Sequence, residues 1–228
     1  MTAIKKNDFV ELEYTGMTAD DKLVFDTTDK DVAKKHGIHN EKYGYGPITI
    51  CIGQHNIVKG LDEFLVDKNL DQEYEVELTP DKAFGKKDIK LIKLIPTSSF
   101  TKQNIRPVAG LSVNIDGIMG TVKTVTGGRT IVDFNHPLSG KNIIYKVHPK
   151  RIVTEDKDKV AAFLSLELQI PKDSLEIEVK GEEAVVKSKL NIPPEIHNLI
   201  EKKLEHYIPH MKKLTFVSNE KQQEHIVE

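Results

Sequence analysis

The sequence predicts an α+β chain: an antiparallel sheet wrapped on one short helix, a β-rich insert within that sheet, and a C-terminal α/β module. Three observations predict it. Period-two segments lie on both sides of a stretch with a different, hairpin-rich texture, so the sheet opens before that stretch and closes after it. A single apolar stripe at helical spacing sits among the first strands. Beyond about Glu155 the pattern changes again, to helix, hairpin, helix and a final strand.

The elements follow in order. FVELEYTG, from Phe9, places Val10, Leu12 and Tyr14 on one face and Glu11 and Glu13 on the other, a strand with one wet side. ITICIG puts Ile48, Ile50 and Ile52 on one side, with Cys51 pointing the other way. NIVKGLDEFLV carries the stripe Ile57, Leu61, Phe64 and Leu65 and is the expected helix. EYEVEL turns Tyr74, Val76 and Leu78 inward and its glutamates outward. NIIYKV, with Ile143, Tyr145 and Val147 together, completes the sheet. Before it, LSVNIDGIMGTVKTVTGGRTIVDF reads as three short strands joined at Asp116-Gly117 and Gly127-Gly128, both strong hairpin signals.

In the last region DKVAAFLSLEL is an expected helix with Val160, Phe163, Leu164 and Leu168 on one face and Asp156 or Asp158 as its cap. LEIEV and EAVVKS flank Lys180-Gly181 as a hairpin. PPEIHNLIEKKLEHYI follows, with Ile196, Leu199, Ile200, Leu204 and Tyr207 on one stripe, and LTFVS is a candidate last strand. The expected boundaries are 1–86 with 133–154 for the body, 87–132 for the insert and 155–228 for the module.

Composition narrows the function. A net charge of -2 and a pI near 6.5 disfavour a nucleic-acid partner. One cysteine allows neither an internal disulfide nor a cysteine-based zinc site. The opening MTAIKKNDFV lacks the apolar core of a signal peptide, and no apolar run approaches a membrane span, so the expected compartment is the cytoplasm. No nucleophile elbow, phosphate loop or zinc-protease helix occurs. The nine histidines are scattered; His206 and His210 have metal-compatible spacing, but Pro209 argues that their helix is ending, and no metal is expected.

The remaining signals are aromatic and apolar, with one acid. VFDTT sets Asp26 directly after Phe25, and TPDKAFG ends in Phe84 at a turn, with Thr79 as a cap and Pro80 at a helix start. Alone, Asp26 reads as a turn residue and Phe84 as a loop anchor. In DFNHPLSGK, Asn135-His136-Pro137 and Gly140 supply turn chemistry, and His136 reads as part of that bend.

Taken in order, YTG, VFDTT, IGQHNIVKGLDEFL, TPDKAFG and IIYKV resemble the FKBP family of peptidyl-prolyl isomerases. DFNHPLSGK after a β-rich insert resembles the branch with a flap insert domain, as in SlyD and the long archaeal FKBPs. The similarity covers about Lys5 to Val153. It implies an FKBP-like body and an apolar pocket for the prolyl ring, at Tyr14, Phe25, Asp26, Ile48, Ile57, Val58, Leu61, Phe84 and Tyr145. It also implies a flap that binds unfolded chains, with Val108, Leu111, Ile118 and Met119 as client-binding candidates. These same residues read equally well as the insert's own small core.

Three departures from the family pattern matter. The chain has no Trp and offers Leu61 on the pocket floor; Ile48 replaces a common aromatic; Phe84 stands where a Tyr hydroxyl is often used. A looser pocket and weaker macrolide binding are expected. The implied reaction needs neither nucleophile nor cofactor. Rotation about a peptide bond meets a barrier of about 18–20 kcal/mol because of amide resonance, and an apolar pocket removes the solvent hydrogen bonds that favour the charge-separated form. Reaching milliseconds from tens of seconds takes roughly 5–6 kcal/mol. Asp26 is assigned to electrostatics and positioning. The implied partners are unfolded protein clients, without nucleic acid or membrane, and the small C-terminal module suggests docking or a homodimer. The rival expectation is a non-catalytic chaperone or adaptor on the same fold.

Overall fold

The computed structural model describes residues 2–188 and 192–218; residues 189–191 and 219–228 of the expected module lie outside the described residues. In chain order the body contains β1 (Phe9–Thr18), β2 (Val24–Thr27), α1 (Lys30–Lys35), β3 (Ile48–Cys51), α2 (Lys59–Leu65) and β4 (Tyr74–Leu78). The insert contains β5 (Ile92–Pro96), α3 (Thr97–Thr101), β6 (Ser112–Ile115), β7 (Ile118–Thr126) and β8 (Arg129–Asp133). β9 (Ile143–Val153) returns to the body, and α4 (Asp156–Leu168), β10 (Leu175–Lys180), β11 (Glu183–Ser188), α5 (His197–Tyr207) and β12 (Lys213–Ser218) follow.

The body sheet runs β2-β1-β9-β4, with β3 also on β1. β1 is long enough to pair with β3 along its first half and β2 along its second, so both share one edge. VFDTT is therefore mostly strand. The reading of Asp26 as a turn residue is corrected: β1 supplies the pairing that a four-residue segment cannot signal alone. The helix is also shorter than its stripe. α2 begins at Lys59 with Val58 as its cap, and Ile57 lies in the preceding loop. That loop is held by Asp62, fully buried on α2, whose carboxylate accepts the Gly53 N–H at 2.8 Å and the His55 N–H at 3.0 Å.

The chain divides into two units, Thr79–Asn142 and everything else. The C-terminal module thus joins the body in place of standing as a third unit. One core explains it: Phe9, Cys51 and Val153 lie on the sheet face opposite Val10, Ile50 and Leu12, and pack with Val160, Phe163, Ile177, Val186 and Leu204 of the module. β10 and β11 form the expected hairpin, and β12 adds parallel to β11. Two expectations within the module are corrected. Glu155, not Asp156 or Asp158, sits at the α4 cap; both aspartates lie in the first turn, where the helix dipole favours them, and Asp156 pairs with Lys159 and His210. Leu199 is 56% exposed, because only Ile196, Ile200, Leu204 and Tyr207 of the stripe face the core.

The other unit is wider than residues 87–132. Its two connecting segments bind each other: Gly140 N–H donates to the Gly85 carbonyl at 2.9 Å, the Ser139 hydroxyl to the Phe84 carbonyl at 3.0 Å, and Lys87 pairs with Asp133 at 2.9 Å. Its sheet runs β5-β8-β7-β6, so the three expected strands gain a fourth. Gly117, Gly127 and Gly128 all have positive φ at the two hairpin turns, as the dipeptides require. Phe100 of α3 covers one face with Val113, Val122 and Val132. Thr79 occupies the cap position before Pro80 without a capping side-chain hydrogen bond.

Asp133 is a pH-sensitive tie in this unit. Burial by itself would raise its carboxyl, but hydrogen bonds from Asn135 and Lys87 outweigh it and hold the value at about 2, below the ordinary 3.8. The folded value is depressed, so its stabilisation is complete above pH 4 and disappears as pH falls towards 2. Hydrogen exchange of β8 amides should accelerate over that window, and Asp133→Asn should flatten the dependence. An unchanged profile in that variant would assign the acid sensitivity elsewhere.

Candidate active site

Period two along β1 and β9 brings the central residues together. Tyr14 lies opposite Val147 and Gly16 opposite Tyr145, so both tyrosines emerge on the same side of the sheet. Their rings meet at 5.9 Å and 64°. β2 adds Phe25, whose ring stands edge-on to Tyr145 at 6.1 Å and 89°. Gly16 makes this possible: a Cβ there would sit 2.8 Å from both Phe25 Cζ and Tyr145 Cε1.

The one acid is held from within the group. The Tyr14 hydroxyl donates to Asp26 Oδ2 at 2.7 Å. Burial raises the Tyr14 hydroxyl well above the ordinary phenol range, and the Asp26 charge and hydrogen bond push it the same way. Tyr145 is raised by burial first and then by Asp26. Both phenols therefore stay protonated as donors beside a carboxylate, in an aromatic wall. Thr28 steadies the strand, its Oγ1 accepting the Tyr14 N–H at 3.0 Å.

The other expected positions divide. Ile48 pairs with Leu12 of β1, on the tyrosine side by register, and is half-buried. Ile57 and Val58 are half-buried in the loop and cap before α2, and Leu61 is completely buried on that helix. α2 covers the tyrosine side, where Phe64 meets Tyr74 edge-on at 6.0 Å. Phe84 belongs to the other unit, where its ring stacks on His136 at 4.9 Å and 6°. His136 Nδ1 accepts the Leu138 N–H at 3.3 Å, which is the bend chemistry expected for this residue. Gly16 and Asp62 were missed. A glycine inside a strand was the available signal for the first; no local pattern signals the second.

A groove of about 400 Å³ runs along β1, β9 and β4, lined by Glu13, Thr15, Glu75, Lys146 and His148 together with Tyr14, Tyr74 and Val147. Glu13 in it pairs with Lys150 and Glu75 with Lys146, so charged and polar side chains make up much of its wall.

In the other unit Leu111 packs against the local core, whereas Val108, Ile118 and Met119 are 53–60% exposed. Ile89, Leu91, Ile92, Leu94 and Val125 are exposed there too, so eight of the twelve exposed large hydrophobics among the described residues belong to this one unit. Two of them, Ile92 and Leu94, lie on β5, a strand that the sequence pattern does not signal.

Residues 1–101 match the model of the FKBP-type peptidyl-prolyl cis-trans isomerase family, and residues 93–138 match that of the FKBP26 IF domain. A short-type peptidyl-prolyl cis-trans isomerase of Methanocaldococcus jannaschii is 31% identical over 144 residues, 63% of this chain and 90% of the relative. The SlyD isomerase of Helicobacter pylori is 27% identical over 118 residues, 49% of this chain and 63% of the relative. That of Vibrio cholerae is 24% identical over 162 residues, 69% and 73% of the two chains.

Proposed function

The chain belongs to the family of FKBP-type peptidyl-prolyl cis-trans isomerases, and on that premise we propose that it isomerises Xaa-Pro bonds in unfolded clients that its insert captures. The observation that carries the isomerase half is the aromatic group of Tyr14, Phe25 and Tyr145 around Asp26. A prolyl ring seated there exchanges water for apolar wall, and the resonance that resists rotation about the amide C–N bond weakens as its carbonyl loses solvent hydrogen bonds. The Tyr14 hydroxyl fixes Asp26, which orients the substrate dipole and transfers no proton. Ile48, Ile57, Val58 and Leu61 complete the wall in this reading, and Phe84 keeps the role that the resemblance implies.

The chaperone half is supported by the exposed apolar side chains of the insert. Met119 on β7 and Ile92 and Leu94 on β5 share the sheet face away from Phe100, as their registers with Asn114, Asp133 and Ile131 require. Ile118 and Val108 add further exposed apolar surface. Such a surface accepts extended chains of varied sequence through side-chain contacts and a free strand edge at β6. No helix among the described residues is long and apolar enough to cross a membrane. The lone free thiol of Cys51 is buried, as suits a protein of the reducing cytoplasm. Self-association through the C-terminal module is a separate part of the proposal, and a light-scattering mass equal to one chain would remove it.

The test is refolding of a protein limited by one prolyl isomerisation, with catalytic amounts of enzyme. The full chain should accelerate it. Tyr145→Ala with Asp26→Asn should lose roughly tenfold or more on both protein and short peptide. Ile118→Ser with Met119→Ser should lose rate on the protein and keep it on the peptide. Suppressed aggregation with no acceleration by the full chain would leave a chaperone without turnover. Equal losses on peptide and protein in the insert variant would sink the capture role.

A further inference from the structure

The loop that carries Ile57 and Val58 is fastened by the C-terminal module. Asn56, the residue before them, uses both ends of its side-chain amide. Its Oδ1 accepts the Cys51 N–H at 2.9 Å, closing the loop on the end of β3. Its Nδ2 donates to the Tyr207 hydroxyl at 3.0 Å, on the last residue of α5. Tyr207 is itself fixed by rings on both sides: Phe163 of α4 at 4.9 Å and Phe9 of β1 at 6.5 Å. Burial raises its hydroxyl above the ordinary phenol range, so it remains a protonated partner for Asn56 at any physiological pH.

The loop needs such an anchor. Between β3 and α2 it passes through positive φ at both Gly53 and His55, so its path is not set by regular backbone pairing. Asp62 ties Gly53 and His55 from the α2 side, and Asn56 ties the next position from the module side. Removing one tie leaves the loop with the other alone, and the residues directly after it are the two that the proposed prolyl site uses.

We propose that Tyr207 is a positioning residue for the isomerase, acting through Asn56 to hold Ile57 and Val58 against the prolyl substrate. The module is then part of the enzyme as well as a neighbour of it. The inference rests on the reading of those two residues as pocket wall.

The test is steady-state kinetics on a short Xaa-Pro peptide with the full chain and five variants: Tyr207→Phe, Asn56→Ala, the two combined, Leu204→Ala and Tyr145→Ala. Leu204 is buried in the module and makes neither of the Asn56 hydrogen bonds, so it reports module stability alone. Tyr207→Phe should lower kcat/KM roughly three- to tenfold, the range one neutral hydrogen bond supports, mainly through KM. Asn56→Ala, which also loses the tie to Cys51, should lower it at least as far, and the double variant should be no worse than Asn56→Ala alone. Leu204→Ala should melt earlier than Tyr207→Phe yet keep kcat/KM at temperatures where it is folded. Full activity in Tyr207→Phe, or additive losses in the double variant, would overturn the proposal, as would a loss in Leu204→Ala equal to that in Tyr207→Phe. If Tyr207→Phe keeps full activity while Tyr145→Ala is inactive, the pocket reading stands and the fastening falls. If Tyr145→Ala is fully active, the pocket reading falls and takes the inference with it.

Discussion

Phe163→Ala should cost the protein about 3–5 kcal/mol and expose the body as well as the module. Phe163 is fully buried on α4 and belongs to the core that joins Phe9, Cys51 and Val153 of the body to Ile177, Val186 and Leu204 of the module. Truncating it removes most of a ring from that shared layer and takes away the face against which Tyr207 rests. Cys51 provides a local reporter. Its thiol is buried, and burial, followed by the charges of Asp62 and Asp8, pushes its pKa up to about 12, so it is a poor nucleophile in the intact fold. In the variant, urea denaturation should shift to lower concentration and a thiol reagent should react with Cys51 under conditions that leave the parent chain untouched. A loss below about 1 kcal/mol with an unreactive thiol would mean that the module and body do not depend on this layer.

Gly16→Ala is the corresponding test on the side of the proposed prolyl pocket. The added Cβ would lie 2.8 Å from Phe25 Cζ and from Tyr145 Cε1, closer than carbon atoms approach without displacement. Tyr145 is almost completely buried and Phe25 stands edge-on to it, so the added methyl displaces the half-buried Phe25 ring from its place on Tyr145. Overpacking of this kind costs about 1–3 kcal/mol. The activity should suffer more than the stability. The two rings form the wall around Asp26, and misplacing such groups by about 1 Å costs on the order of a hundredfold. Peptide isomerisation should fall by roughly tenfold or more while the chain remains folded by circular dichroism. Wild-type turnover in Gly16→Ala would show that the wall tolerates displacement, and the pocket assignment would need other residues.

Much of the fold was legible because period and turn chemistry are local. The alternation in FVELEYTG and NIIYKV put Tyr14 and Tyr145 on one side of their strands, and the sheet keeps them there because neighbouring strands must align their faces. Asp116-Gly117 and Gly127-Gly128 marked hairpins because only such residues take positive φ cheaply. The helices of the module followed from their stripes, although Leu199 shows that an apolar position at the margin of a stripe need not be covered.

Local pattern, then, specifies the side of each strand that a residue faces and the points where the chain reverses. What lies across from those sides is set by packing between distant segments. Val24–Thr27 became a strand because β1 had a free half-edge for it. Cys51 was read as pointing away from the isoleucines, but its burial depends on α4 and β11 arriving from the far end of the chain. Phe84 and the His136 bend joined the insert through hydrogen bonds between its two connecting segments. Asn56 and Tyr207 stand 151 positions apart, and no local pattern anticipates the bond between them. Periodicity records the orientation of a side chain relative to its own backbone; its partner is chosen by packing, which minimises exposed apolar surface over the whole chain at once.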